Sequence, residues 1–448
     1  MRSAGTTTTG RGAGSRLVAA VVLGGVAAGL TGWFFQRLLH VLQRLAFGIG
    51  PGTSGGPVRA GWLDVRSSPS LLTMVEAADP WRRVAVLAVA GVVGGLSWFL
   101  YFRRGHAGVD VAATAEGRPA PLPAAFWHTT TQVVIVAMGA SIGREAAPRE
   151  LAASLSAWLS DRLGLSPEDR RTIVACGAGA GLAAVYSIPL SGAVFALEVV
   201  LTRVTPRTVW PALAMSGLAV LVADGWTFGS PFYDVPEIAP TASLAVWALL
   251  AGPLIGALGH GFGAAVRRGE LSRPRDARLL WTMPVAFTAV GLVSVWVPGV
   301  LGNGQSSAQI AFDLPDGAAA SGATLLAVAV LAKLATTLAT IRSGAWGGTL
   351  QPSVALGAGI GALTGMAWGL LWSAVAPGSP GTQLAAFAVI GAAAFLATSW
   401  RAPLTALALV MEFTHQGPAI LLPCLLAIGG ATATARWLAL REAAPPPR

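Results

Sequence analysis

Apolar residues occupy this chain in long blocks separated by short polar connections. The blocks cover roughly 17–47, 84–102, 124–142, 151–160, 172–201, 208–228, 241–266, 279–301, 323–340, 353–376, 383–399, 402–413 and 418–439. A spanning helix takes about 20 apolar residues, so several blocks can cross a bilayer and several others are too short. Leu17–Phe35, continuing into Gln36–Phe47, reads as a first membrane helix rather than a cleaved signal peptide. Many blocks are interrupted by Gly or Pro. At membrane depth such breaks persist only where neighbouring protein or a polar cavity satisfies the freed backbone groups. The pattern therefore predicts an all-α polytopic membrane protein built from tilted, broken and re-entrant helices.

The blocks also repeat. Gly177 to Pro189 and Gly391 to Pro403 are both twelve residues, and each Pro is followed nine residues later by a glutamate, Glu198 or Glu412. Upstream of each lies a five-residue Gly-to-Pro interval, Gly143–Pro148 and Gly347–Pro352, followed by a helix of small residues. Two matched blocks in the same order predict two structural repeats, about 80–228 and 241–440, joined near Thr227–Thr241. The helix 17–47 stands outside the repeat in this reading. Residues 1–16 and 441–448 read as short tails around a single membrane domain, 17–440. Paired interrupted segments in two halves point to a binding site at the bilayer midplane.

Composition narrows the class. Of 448 residues, 54% are hydrophobic and 11% charged, with a mean hydropathy of +0.64. Soluble domains carry roughly a quarter of charged residues, so a secreted domain, a disordered chain and a cytosolic enzyme are excluded. Cys176 and Cys424 lie in apolar runs and suggest no disulfide framework. The net charge of +10 is almost all arginine, Lys333 being the sole lysine. Arg2, Arg11 and Arg16, the group Arg267, Arg268, Arg273, Arg275 and Arg278, and Arg436, Arg441 and Arg448 flank the apolar runs. By the positive-inside rule both termini and the 267–278 connection are expected in the cytoplasm. No aromatic-interleaved basic module accompanies the charge, so no nucleic-acid partner is expected. His40, His106, His128, His260 and His415 form no metal spacing and no GxSxG elbow occurs, which argues against an intramembrane hydrolase; no metal or cofactor is expected.

Three Gly-flanked turns carry the candidate chemistry. In Gly143-Arg144-Glu145-Ala146-Ala147-Pro148 a turn opens a helix after an apolar run. Backbone N–H groups at a helix start attract anions, and Glu145 is a carboxylate that can take that place itself. A plain helix-start carboxylate paired with Arg144 or Arg149 is the alternative. In Ser343–Pro352 the matching position is Thr349, uncharged, with Leu350 following. Gly105-His106-Ala107-Gly108-Val109 is a third and weaker turn.

Taken together, Gly143-Arg144-Glu145, Ser187-Ile188-Pro189-Leu190-Ser191-Gly192, Gly347-Gly348-Thr349-Leu350-Gln351-Pro352 and Arg401-Ala402-Pro403-Leu404-Thr405 resemble the CLC family of chloride channels and proton-coupled chloride antiporters, over about residues 80–440. The resemblance implies two inverted-topology repeats and a homodimer with one pore per subunit, in the inner (plasma) membrane. It implies a gating glutamate at Glu145, and an anion held by backbone around Ala107, Gly108, Arg144, Ala146, Gly348, Thr349 and Leu350. Weak, multi-site binding of that kind suits rapid conduction. Glu198 and Glu412 are expected as structural residues near helix ends.

The departures from the family pattern are specific. The family's pore serine is matched by Ala107, which has no hydroxyl. Gly-Arg-Glu-Gly-Pro becomes Gly143-Arg144-Glu145-Ala146-Ala147. The late pore tyrosine, expected soon after Glu412, is missing from Phe413–Pro418. Val199 stands where family antiporters carry an internal proton glutamate, so no proton relay is assigned. The expected function is chloride conduction, with a proton-coupled antiporter or a fluoride-preferring member of the same family as alternatives.

Overall fold

The computed structural model describes residues 8–48, 70–118, 121–224, 231–316, 320–376 and 383–443. Arg2, Arg448, the first seven residues, residues 225–230 of the expected inter-repeat connection and residues 444–448 of the C-terminal tail lie outside them.

The described residues form seventeen α-helices: α1 (Thr8–Phe47), α2 (Leu71–Ala77), α3 (Pro80–Arg103), α4 (Val111–Ala115), α5 (Leu122–Ala137), α6 (Ala146–Arg162), α7 (Pro167–Tyr186), α8 (Pro189–Phe195), α9 (Pro206–Asp224), α10 (Ala242–Leu271), α11 (Leu279–Trp296), α12 (Gln305–Phe312), α13 (Ala320–Arg342), α14 (Leu350–Val375), α15 (Leu384–Ser399), α16 (Pro403–Thr414) and α17 (Leu421–Ala443). No β-strand occurs among them, only one isolated bridge. Eight of these helical segments are long and apolar enough to cross a membrane. The apolar blocks therefore fall on helices as expected. The short helices α2, α4 and α12 escape the hydropathy pattern because five to eight residues form no apolar run of their own.

Contacts divide the chain into two compact units: residues up to Leu38 with 104–133 and 145–230, and residues 39–103 with 134–144 and 231–448. Unit one packs α6 on α7 and α7 on α9; unit two packs α14 on α15 and α15 on α17. The repeat seen in the sequence is thus a repeat of helix packing.

Local chemistry explains the shared breaks. α7 starts on Ser166, whose hydroxyl accepts from Asp169 N at 3.1 Å, with Pro167 next and Glu168 and Asp169 in the first turn. It ends at Tyr186, where Ser187 turns left-handed (φ 60°) and Pro189 begins α8. In the second copy α15 ends at Ser399, Arg401 turns left-handed (φ 55°) and Pro403 begins α16. A proline has no N–H to bond into a preceding turn and disfavours continuing that helix; here the chain redirects within two residues of it. Both copies do so with a non-glycine left-handed residue, at a cost of about 1–2 kcal/mol each.

The first helix packs on its neighbours through a glycine pattern that recurs in the second half. In α1, Gly25 and Gly29 bring the helix against α9, so that a Cβ on Gly29 would lie 2.6 Å from Val222 Cβ and 2.7 Å from Ala219 O, while Gly32 abuts Ala184 of α7. In α10, Gly252 and Gly256 meet α17, where a Cβ on Gly252 would lie 2.6 Å from Ala427 O, and Gly259 meets α15, where a Cβ would lie 2.7 Å from Phe395 O. The glycine spacing, four then three, is identical in the two helices. Small residues at one face let helix backbones approach closely in a membrane. α1 and α10 therefore share one glycine packing pattern.

The copies differ at one place. After α8 the helix widens into a π segment, Ala196–Leu201, and ends on left-handed Thr202 (φ 52°), thirteen residues beyond Pro189. The α16 helix stays α-helical and ends on left-handed His415 (φ 50°), twelve residues beyond Pro403. The π turn absorbs the extra residue; such segments are often found at functional sites. Glu198 and Val199 both lie in it, whereas Glu412 lies in regular helix.

Outside the membrane helices, the connection 272–278 is polar. There Arg278 Nε donates to Asp276 at 3.1 Å and holds that carboxyl below the usual range.

Candidate functional site

The segment Met138–Gly143 leaves the end of α5 and reaches the first turn fully buried at Ser141 and Ile142. There Gly143 N donates to Gly348 O at 2.7 Å, and Gly348 N donates back to Gly143 O at 2.9 Å. The two turns singled out by their Gly-to-Pro spacing are therefore joined, backbone to backbone, inside unit two. A Cβ on Gly347 would sit 3.0 Å from Gly143 O, so a side chain there would press on the join.

Lys333 supports the turn. Its ammonium, buried in α13, donates to Ser141 Oγ (3.0 Å), Val300 O (3.0 Å) and Gly302 O (2.8 Å). Three acceptors match three N–H donors, which is what a buried ammonium needs. Ser141 also meets the Thr336 hydroxyl at 3.1 Å. The sequence marked Lys333 only as the lone lysine; its uncharged, hydrogen-bonding surroundings are a product of the fold.

Two cavities in unit two end on the joined turns. One, of about 340 Å³, is lined by His40, Gln43, Arg144, Asn303, Gln305 and Gln309 among others, and no carboxylate lines it. The other, of about 290 Å³, is lined by Arg267, Glu270, Thr349, Ser399, Trp400 and Arg401 with neighbouring apolar residues. Each approaches the Gly143–Gly348 join from a residue next to it, and arginine charge predominates in both linings.

The residues expected to line the site fall as follows. Arg144 places its guanidinium 5.8 Å from the Phe232 ring. Glu145 is the N-cap of α6, fully buried, and its side chain makes no capping bond to its own helix. Ala146 is the first residue of α6 and is buried. Arg149 lies over the Phe195 ring at 5.3 Å. Glu145 Oε2 instead accepts from Tyr186 OH at 3.1 Å. Thr349 is the N-cap of α14 and Leu350 its first residue; the Thr349 hydroxyl accepts from Trp400 Nε1 at 3.1 Å. Gly348 lies in the join, its N–H donating to Gly143 O at 2.9 Å. Ala107 and Gly108 lie in the loop between α3 and α4, where Asp110 caps α4 through Ala113 N at 3.1 Å.

Two further groups were not singled out from sequence. Tyr186 is one; it belongs to the first repeated block, but nothing in a linear pattern couples it to a residue 41 positions earlier. The other is a buried cluster in unit one: Gln132 Nε2 donates to Glu150 Oε2 at 2.7 Å, and His128 Nε2 lies 3.6 Å from the same oxygen. In place of a pore tyrosine after Glu412, Phe413 stacks on Phe232, their centroids 4.8 Å apart.

Broken helices, a buried carboxylate at a helix start and joined glycine turns between arginine-lined cavities define a membrane protein built to pass a small anion. The chain matches the voltage gated chloride channel family over residues 81–436. It belongs to that family, the CLC family, and is a multi-pass membrane protein that transports anions. It is 29% identical over 385 residues, 82% of this chain, to a putative chloride channel protein ClcB-like of Ralstonia nicotianae, of which 85% is covered. The same identity over the same length relates it to the voltage-gated ClC-type chloride channel ClcB of Escherichia coli strain K12, 88% covered. Among solved structures, a slow cyanobacterial Cl-/H+ antiporter has a TM-score of 0.77 at 19% identity, covering 94% of this chain and 95% of that one. A CLC-type fluoride/proton antiporter has a TM-score of 0.69 at 18% identity, covering 96% and 98%. The many-helix membrane fold is shared with these structures over nearly the whole chain.

Proposed function

We propose that this protein conducts chloride, without moving protons, through a pore whose gate is Glu145. The observation that carries this reading is a buried carboxylate at the start of α6, one residue from a turn whose neighbour is hydrogen-bonded to the second turn. Amides at the starts of α6 and α14 carry partial positive charge. They hold an anion without the tight grip of a fixed cation, which conduction requires. Ala107, Gly108, Arg144, Ala146, Gly348, Thr349 and Leu350 are the residues assigned to that path. An ionised Glu145 competes for it; a protonated Glu145 does not. Val199, half-buried in the π segment, has no proton to relay, which supports conduction without coupling.

The test is purified protein in liposomes, with anion and proton flux recorded together. Chloride flux with no proton movement is expected. The Glu145→Gln protein is expected to carry about tenfold or more flux than wild type, with the pH dependence lost. If both flux and its pH profile stay as in the wild type, Glu145 is not the gate.

A second reading has its own observation. His128 Nε2 and Glu150 Oε2 lie 3.6 Å apart, buried in the same unit as Glu145, and in this reading they hold the coupled proton; the solved neighbours named above are proton antiporters. Uphill proton movement driven by a chloride gradient would select that reading; a fluoride preference in the same assay would select the other branch.

The assembly we propose is a homodimer in the inner membrane with both termini cytoplasmic, each chain a single membrane domain over 17–440. Leu190 of α8 and Leu404 of α16, at equivalent positions of the two repeats, are both exposed, 50% and 61%. By resemblance to the family, helices of this region form the dimer interface. Crosslinking that yields only monomer in detergent and in lipid would refute it.

A further inference from the structure

Tyr186 stands at the C-terminal end of α7 and is 3% exposed, yet its hydroxyl is directed at the one buried acidic side chain of the α6 start. A phenol donates one hydrogen bond, and a carboxylate accepts most strongly when ionised. The contact therefore tethers the Glu145 carboxylate in its buried position.

The phenol has little freedom to follow the carboxylate if that moves. One residue after Tyr186, left-handed Ser187 ends α7, and its hydroxyl is hydrogen-bonded to the Asp224 carboxylate. Two residues before it, Ala184 O accepts from Gln36 Nε2 of α1 at 2.8 Å. Ile188 N closes the turn onto Ala183 O at 3.2 Å. Backbone and flanking side chains thus pin the end of α7 on both sides of Tyr186. All of these residues belong to unit one.

We infer that Tyr186 is a latch: its hydroxyl holds the ionised Glu145 side chain in its buried position, and conduction requires that hydrogen bond to break. Tyr186 touches the gate, not the permeant ion by this argument, so it is a positioning residue. The inference rests on the reading of Glu145 as the gate.

The test is Tyr186→Phe, which removes one oxygen and keeps the ring that fills the site. Chloride efflux from liposomes is measured for wild type, Tyr186→Phe, Glu145→Gln and the double variant, with thermal unfolding in detergent as a check on folding. The single Tyr186→Phe change is expected to raise flux about tenfold, the scale of losing a hydrogen bond to a charged group. In the Glu145→Gln background the same change is expected to do nothing, because the charged partner is gone. A merely structural tyrosine would change flux equally in both backgrounds, and that outcome would overturn the latch. So would unchanged or reduced flux in a folded Tyr186→Phe protein while Glu145→Gln still conducts freely. If Glu145→Gln itself leaves flux unaltered, the gate reading fails first and the latch falls with it.

Discussion

The turns at 143–148 and 347–352 are alike in backbone and unlike in chemistry. Both follow a Gly-to-Pro interval of five, both open a long helix of small residues, and Gly143 and Gly348 exchange two hydrogen bonds. Only the first carries a carboxylate; at the matching position Thr349 offers a hydroxyl engaged with Trp400. The comparison teaches that a duplicated frame can be kept while one copy takes a chemical role. Backbone hydrogen bonding and glycine packing constrain the frame in both copies. A single side chain, which those constraints leave free, sets the difference.

The largest effect should come from removing that difference. Thr349→Glu places a second carboxylate at the start of α14, and anion efflux is expected to drop at least about tenfold, the worth of a charge competing for donors at a helix start. Unchanged efflux would mean that the second turn does not face the ion path. Next comes the shared frame. Gly29→Ala in α1 and Gly256→Ala in α10 each put a methyl group against a neighbouring helix backbone. Each is expected to cost about 1–3 kcal/mol, read as comparable falls in melting temperature in detergent. A neutral Gly29→Ala beside a damaging Gly256→Ala would remove α1 from the shared packing pattern. The smallest effect concerns the left-handed hinges. Arg401→Gly relieves an unfavourable φ and is expected to gain roughly 0.5 kcal/mol after the entropy cost of glycine. Ser187→Gly also loses a hydroxyl bonded to Asp224 and is expected to gain nothing. Equal gains at both hinges would show that this hydroxyl bond has no weight.

The two repeats also diverge where Ala196–Leu201 takes a π turn and its counterpart in α16 does not. One extra residue separates Pro189 from Thr202, and the helix accepts it by widening locally rather than by shifting everything downstream. That keeps the left-handed stop, and therefore the start of α9, in place. Val199, which has no proton to relay, lies inside this widened segment.

Much of this was present in the linear order of residues. Hydropathy blocks located the membrane helices because burial in lipid demands apolar side chains wherever the helix lies. The Gly–Pro–Glu spacing located the repeat because a broken helix needs Pro at its restart and small residues where backbones meet. Glu145 stood out because a carboxylate beside apolar segments is costly without a purpose. The glycine series 25, 29, 32 and 252, 256, 259 was equally legible but went unused, since glycines are common in this chain and only their partners on α9 and α17 gave the spacing meaning. Other features were decided by tertiary structure alone. The commitment of Gly348 N to Gly143, the three acceptors around Lys333, the His128–Gln132–Glu150 cluster and the Tyr186–Glu145 bond all join residues 18 or more positions apart, except His128 and Gln132, which sit one turn apart on α5. A hydrogen bond depends on distances of a few tenths of an ångström between atoms. Composition and periodicity say which residues must be buried, and only the packed chain says which of them meet.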